Sequence, residues 1–216
     1  MLKDRKEGQY WVEPFVGGAN MIDKVEGKRI GADSNMWSIE GLLLIRDNLH
    51  MIPKDNSDFT ENDYNKLKTK AWTPLKGFAS FAYSFGAKFM GGWARNKQGT
   101  DYVRNAYRNA VKQSPKLQDV HFVHSDYQDL LIPMNSVIYC DPPYANTTSY
   151  KDDFNHEEFW QWCRDMSSEG HTVFISEYNA PDDFECIYEK EINSSFHHSR
   201  VDKSKKGTEK LFKYKG

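Results

Sequence analysis

Cysteine is scarce in this chain, and what there is does not pair. The 216 residues hold three, Cys140, Cys163 and Cys186. They are odd in number and widely spaced, with no C-x-x-C, so neither a disulfide framework nor a zinc site is indicated. The seven histidines also lack ligand spacing: His121 and His124 flank an apolar run, and His197-His198 are adjacent. No metal is therefore expected. No apolar run approaches the roughly 20 residues needed to span a bilayer. Met1 to Glu7 lacks the apolar stretch of a signal peptide. A cytoplasmic protein with no membrane partner is the expectation. A G-x-G-x-x-G is missing as well, which argues against a dinucleotide.

Acids are missing where bases are plentiful. Residues 64–116 contain eleven Lys and Arg against the single acid Asp101, although the whole chain has a net charge of −2. Ten aromatics share that window, among them Trp72, Phe78, Phe81, Tyr83, Phe85 and Trp93. Bases interleaved with aromatics and glycines suit a polyanion surface with stacking or wedge groups. A solvated helix face would give a similar run of charge. A second basic run spans Arg200 to Lys215, whereas residues 152–191 hold twelve acids against Arg164 and Lys190.

Seven short β-type runs recur: Tyr10–Val16, Arg29–Asp33, Val120–His124, Ser136–Cys140, Thr172–Ser176, Glu185–Glu191 and Thr208–Tyr214. Helical patterns fall between several of them. Ser34 or Asn35 can cap a helix reaching about His50, and Thr100 one that Ser114-Pro115 stops. Asn155 or His156 opens a third, with Phe159, Trp160, Cys163 and Met166 on its core side. Alternation of this kind predicts an α/β fold with a mostly parallel, doubly wound sheet. The last two strands predict a closing antiparallel hairpin. Residues 52–117 break the alternation and read as an inserted basic region, leaving 1–51 and 118–216 as the main domain.

Two motifs carry chemistry. Tyr10 to Asn20 is a strand running through Glu13-Pro14-Phe15-Val16 into the paired glycines Gly17 and Gly18. Such glycines let a ligand approach the backbone closely, and a following helix start would offer free N–H groups. Asp33 ends the next strand, 15 residues after Gly18, where a carboxylate can accept both hydroxyls of a ribose. The second motif, Ser136 to Tyr144, is an apolar strand ending in Asp141-Pro142-Pro143-Tyr144. Two prolines make a stiff corner at the carboxyl end of a strand, where open α/β sheets bind ligands. The Asp141 carboxylate and the Pro142 carbonyl would accept the two hydrogens of an exocyclic amino group, with Tyr144 stacked on the base. Cys140 points to the other face and reads as packing.

With these residues the chain resembles the DNA adenine-N6 methyltransferases of the Dam type, especially their bacteriophage branch with its DPPY motif. Glu13 to Gly18 matches the cofactor motif and Asp141 to Tyr144 the catalytic one. Ser125-Asp126-Tyr127, Phe154 to Trp160 and Ile175-Ser176-Glu177-Tyr178 match further segments. The resemblance implies a Rossmann-like methyltransferase fold, with residues 52–117 as a helical target-recognition region. It implies S-adenosylmethionine as cofactor, with S-adenosylhomocysteine as product and no metal. Phe15, Val16, Gly17, Gly18 and Asp141 would line that cofactor, with the ribose on Asp33 and the adenine near Asp126 and Tyr127. The substrate would be double-stranded DNA with its target adenine flipped out. Lys88, Arg95, Lys97, Arg104 and Arg108 are the expected DNA contacts, and Phe85 or Trp93 would fill the space left by the flipped base. A monomer or weak dimer is expected, in a bacterial or phage-infected cell, with a cognate restriction nuclease as a further candidate partner.

One departure from the family stands out. Relatives carry a longer leading segment whose helix closes over the methionine end of the cofactor, and Leu2 to Gln9 looks like the tail of that helix. An N-terminally truncated homologue with impaired catalysis, acting as a DNA-binding protein, is therefore one alternative. Methylation of cytosine N4 or of an RNA adenine is another, since the same corner chemistry serves both.

Overall fold

Short apolar runs form the buried central strands of this computed structural model, which describes residues 1, 5–143, 154–192 and 207–216. Seven strands are present: β1 (Trp11–Glu13), β2 (Arg29–Asp33), β3 (Val120–His124), β4 (Val137–Cys140), β5 (Thr172–Glu177), β6 (Phe184–Ile192) and β7 (Gly207–Tyr214). All seven expected strands are found, β1 being shorter than the run Tyr10–Val16. They form a mostly parallel sheet of order β3-β2-β1-β4-β5-β7-β6. The chain divides into two compact units, residues 16–130 and residues 1–15 with 131–216.

In the second of these units, β1 pairs parallel with β4 and β4 with β5. The hairpin then closes the sheet, β7 lying antiparallel between β5 and β6. Helix α5 (His156–Ser168) starts where Asn155 accepts the N–H groups of Glu157 and Glu158, and ends before Gly170 at φ 91°. Its Phe159 and Cys163 are fully buried, with Trp160 beside Phe184, so this is the core face the spacing predicts. Cys140 is buried too, near Cys163, and burial pushes its thiol well above the ordinary value. That is a packing cysteine. Around Gly8 (φ 82°) the N–H of Gln9 bonds to the carbonyl of Lys6. Among the described residues, the expected helix tail at Leu2–Gln9 is therefore a turn; Leu2 to Asp4 lie outside them.

Residues 16–130 pair β2 parallel with β3 and add four helices: α1 (Met36–Asp47), α2 (Glu61–Thr69), α3 (Pro74–Ala82) and α4 (Tyr102–Leu117). Asn35 caps α1, which ends at Asp47 and is followed by a 3-10 turn at Leu49–Met51. A capping box of Thr60 and Asp63 opens α2, and Pro74 at the first turn opens α3. The cap of α4 is Asp101, whose carboxylate accepts the Arg104 N–H, and not Thr100. Nor does Ser114-Pro115 stop this helix, which runs on to the buried Leu117. Side-chain donors satisfy its end: Gln118 Nε2 bonds the Ser114 carbonyl at 3.1 Å and Arg29 Nη1 the Lys116 carbonyl at 2.7 Å.

Helix α3 lies against α1 through two glycines. A Cβ on Gly77 would meet the Gly41 nitrogen and the Trp37 carbonyl at 2.9 Å, and one on Gly41 the Phe78 backbone at 3.2 Å. The segment expected as an insertion is thus seated on α1 at backbone distance.

Candidate functional site

The strand order fixes where a ligand cleft belongs. From β1 the chain winds outward through β2 and β3, and β4 then returns to the other side of β1. The carboxyl ends of β1 and β4 flank this reversal, the topological switch point at which open α/β sheets bind ligands. Trp11 pairs with Val137 and Val12 with Ile138, so the two motifs leave the sheet side by side. One exits as Glu13-Pro14-Phe15, the other as Asp141-Pro142-Pro143.

Around this end the packing is stiff. Glu13 is buried and accepts the Trp11 indole N–H at 2.7 Å, while the Trp11 ring stacks on Tyr139. Burial, then the nearby Asp141 charge, raises the Tyr139 hydroxyl far above its ordinary pKa, so it stays protonated. Phe15 packs edge-on against Phe154 and Phe159, tying the turn after β1 to the start of α5. Asp141 is exposed, Pro142 buried and Pro143 half-buried. Tyr144, the fourth residue of the motif, lies outside the described residues. Glu177, at the end of β5, is buried and accepts the Tyr178 N–H at 2.6 Å.

In residues 16–130 the glycine turn is organised by Asp33. The Gly17 N–H donates to Asp33 Oδ2 at 2.9 Å and the Asn35 N–H to Oδ1 at 2.8 Å. Gly17 has φ 46°, a conformation that favours glycine. A Cβ on Gly31 would meet Val16 Cγ2 at 2.8 Å, so the glycine lets the turn lie close against β2. The expected helix start after Gly18 is absent; a 3-10 turn at Ile22–Lys24 follows instead. The Gly17 N–H is therefore committed to Asp33, and the Gln113 side chain bonds the Gly18 carbonyl at 2.9 Å. Burial raises the Asp33 carboxyl above the usual range, opposed by the Asn35 and Gly17 N–H groups and by the charge of His124. Each carboxylate oxygen has acceptor capacity beyond one bond, so Asp33 fits a diol. Asp126 is exposed and accepts the Gln128 N–H at 3.0 Å, whereas Tyr127 is buried.

The basic residues are presented differently from one another. All five expected contacts, Lys88, Arg95, Lys97, Arg104 and Arg108, are exposed. Arg95 pairs with Glu61 at 2.9 Å and Arg104 with Asp55 at 3.3 Å. No described acid lies within ion-pair distance of the other three. The loop after α3 folds back on itself: Ser84 bridges Trp93, and the Phe85 N–H donates to the Gly92 carbonyl at 2.7 Å. Phe85 is left 67% exposed, whereas Trp93 packs among Phe59, Tyr64 and Tyr83. Of the two wedge candidates, Phe85 is the exposed one and Trp93 is half-buried. The pairing of Arg95 and Arg104 with acids of residues 55–61 was not legible in the sequence, for those acids lie outside the basic window.

Among the described residues no helix is long and apolar enough to cross a membrane. The sequence matches, over residues 1–206, the family described as the D12 class of N6 adenine-specific DNA methyltransferases. No protein of curated function matches it. Solved structures that match include the crystal structure of SMU.472, a candidate methyltransferase complexed with SAH. The TM-score is 0.35 at 10% identity, over 99% of this chain and 49% of that one. The chain thus spans about half the length of that structure.

Proposed function

This chain belongs to the D12 class of N6 adenine-specific DNA methyltransferases, and from that premise we propose that it transfers a methyl group from S-adenosylmethionine to adenine N6 in duplex DNA. The observation that carries the reading is the exit of Glu13-Pro14-Phe15 and Asp141-Pro142-Pro143 from neighbouring parallel strands at the switch point. S-adenosylmethionine supplies a methyl group already activated by its sulfonium. The residues assigned to hold it are Phe15, Val16, Gly17, Gly18, Asp33, Asp126, Tyr127 and Asp141, with Asp33 accepting the ribose hydroxyls.

The target amine is a poor nucleophile because its lone pair is delocalised into the ring. Hydrogen bonds to the Asp141 carboxylate and the Pro142 carbonyl favour a pyramidal nitrogen with that lone pair localised. Catalysis is then positioning and electrostatics, supplied by groups fixed before the base arrives. Pro143 stiffens the corner and Tyr144 stacks on the flipped base. Residues 52–117 form the target-recognition region: Lys88, Lys97 and Arg108 offer open cations to phosphates, and Phe85 enters the stack where the adenine left.

Incubation with tritiated S-adenosylmethionine and unmethylated duplex, followed by nucleoside analysis, tests this reading. Label in N6-methyladenine is expected. Label in N4-methylcytosine, or only on RNA, would move the target. Duplex binding without any transfer would make the chain a binding protein on a methyltransferase fold.

A further inference from the structure

The segregation of charge along the sequence is partly undone by folding. The basic window begins at Tyr64, and the stretch just before it carries Asp55, Asp58, Glu61 and Asp63. Asp63 pairs with its near neighbour Lys66 at 4.0 Å, and two of these acids reach much further into the window. Glu61 Oε1 meets Arg95 Nη2 at 2.9 Å, 34 residues on, and Asp55 Oδ2 meets Arg104 Nη2 at 3.3 Å, 49 residues on. Neither acid hangs on a mobile end. Glu61 is the first residue of α2, behind the Thr60–Asp63 capping box. Asp55 accepts the Ser57 N–H at 2.9 Å and its hydroxyl at 2.5 Å, and the Asn56 N–H binds Asp101 at 3.1 Å. Lys88, Lys97 and Arg108 have no such acid among the described residues. The two arginines are nonetheless half or more exposed, so a phosphate can reach them.

We propose that Glu61 and Asp55 act as internal competitors for DNA phosphate, holding Arg95 and Arg104 out of the interface until a well-docked duplex displaces them. The proposal rests on the duplex-DNA reading above and concerns how that surface discriminates. A loosely placed, non-specific duplex gains only the three open cations. A duplex seated closely enough to replace the carboxylates gains five. Exposed ion pairs are weak, so displacing them is feasible for a phosphate and unfavourable without one. The arrangement lowers non-specific affinity more than specific affinity, which is how competition yields selectivity.

The experiment follows the affinity for a labelled non-specific duplex across a salt series, with the full chain and with Glu61→Gln, Arg95→Gln, the double variant and Asp58→Asn. Glu61 lies outside the capping box, so its substitution leaves the start of α2 intact. Asp58 accepts the Lys54 N–H and pairs with no cation among the described residues, so it controls for loss of one negative charge. Glu61→Gln is expected to tighten binding by about threefold, the scale of an exposed ion pair. It should also steepen the plot of log K against log salt by about 0.9, one further phosphate neutralised. Arg95→Gln in that background should abolish both changes. A Glu61→Gln variant that binds like the parent, a gain that survives Arg95→Gln, or an equal gain from Asp58→Asn would each overturn the proposal. A parent chain that binds no duplex would instead sink the DNA reading itself, and this inference with it.

Discussion

Asp141 is assigned to both the reacting amine and the cofactor, so its removal should show in the transfer step and in cofactor affinity. Losing a preorganised acceptor from the reacting amine is expected to slow transfer by about 10²- to 10³-fold. Asp141→Ala should leave duplex affinity unchanged, because the cations of the basic face supply that term. Single-turnover methylation beside a binding titration checks this; transfer at the parental rate would refute the role. Asp33 makes a second prediction. Its carboxyl titrates above the usual range, chiefly through burial. Ribose hydroxyls need the ionised form, so cofactor affinity should fall as pH drops through the raised value. The stability contribution has the opposite sign. A folded-state pKa above the unfolded one stabilises the protein fully at pH below the unfolded pKa, and that contribution is lost as pH rises through the folded one. As pH falls toward the ordinary carboxylate range, calorimetric titration should show weakening cofactor binding, earlier than an exposed acid would give. A pH-independent affinity would remove Asp33 from the ribose.

At the scale of elements, the seat of α3 on α1 is made by Gly41 and Gly77, where backbone meets backbone. Gly77→Ala would place a methyl group 2.9 Å from a backbone nitrogen and a carbonyl oxygen, and neither belongs to a flexible side chain. The helices must separate, at a cost of about 1–3 kcal/mol. That outweighs any gain in helix propensity from replacing glycine with alanine. Thermal unfolding should register a lower midpoint, and an unchanged or raised midpoint would show the seat to be soft. The end of α4 teaches a complementary lesson. Pro115 should break a helix, yet Gln118 and Arg29 bond the last carbonyls from the side and Leu117 is buried, so the final turn survives.

For the whole molecule, the decisive quantity is where charge is displayed rather than how much there is. Residues 16–130 carry sixteen Lys and Arg against thirteen Asp and Glu, a modest excess on a chain of net negative charge. Binding to duplex then depends on a few open cations. Replacing Lys88, Lys97 and Arg108 together by Gln should flatten the salt dependence by about 0.9 for each phosphate that is no longer neutralised. It should weaken specific and non-specific duplexes alike, because phosphate contacts carry no sequence information. A variant with the parental salt slope would place the interface elsewhere.

Much of the architecture could be read from residue order alone. All seven strands, the closing hairpin, the caps at Asn35 and Asn155, and the burial of Phe159 and Cys163 were legible in it. Each follows from local periodicity or from a side chain bonding its own neighbours. The two motifs were legible as well, because prolines restrict the backbone and glycines free it wherever they stand. Tertiary structure decided the rest. Asp101 in place of Thr100 caps α4, since its carboxylate also holds the distant Asn56 N–H. Gly17 spends its N–H on Asp33 and no helix follows, because the glycine turn lies down on β2. Phe85 is presented and Trp93 withdrawn, because a hairpin-like loop turns one ring outward and the other into an aromatic cluster. Arg104 also has a local partner in Asp101, at 3.8 Å, but the pairing of Arg95 with Glu61 and of Arg104 with Asp55 lay beyond any local reading. An ion pair depends on distance in space, and 34 or 49 residues of intervening chain leave that distance to the fold.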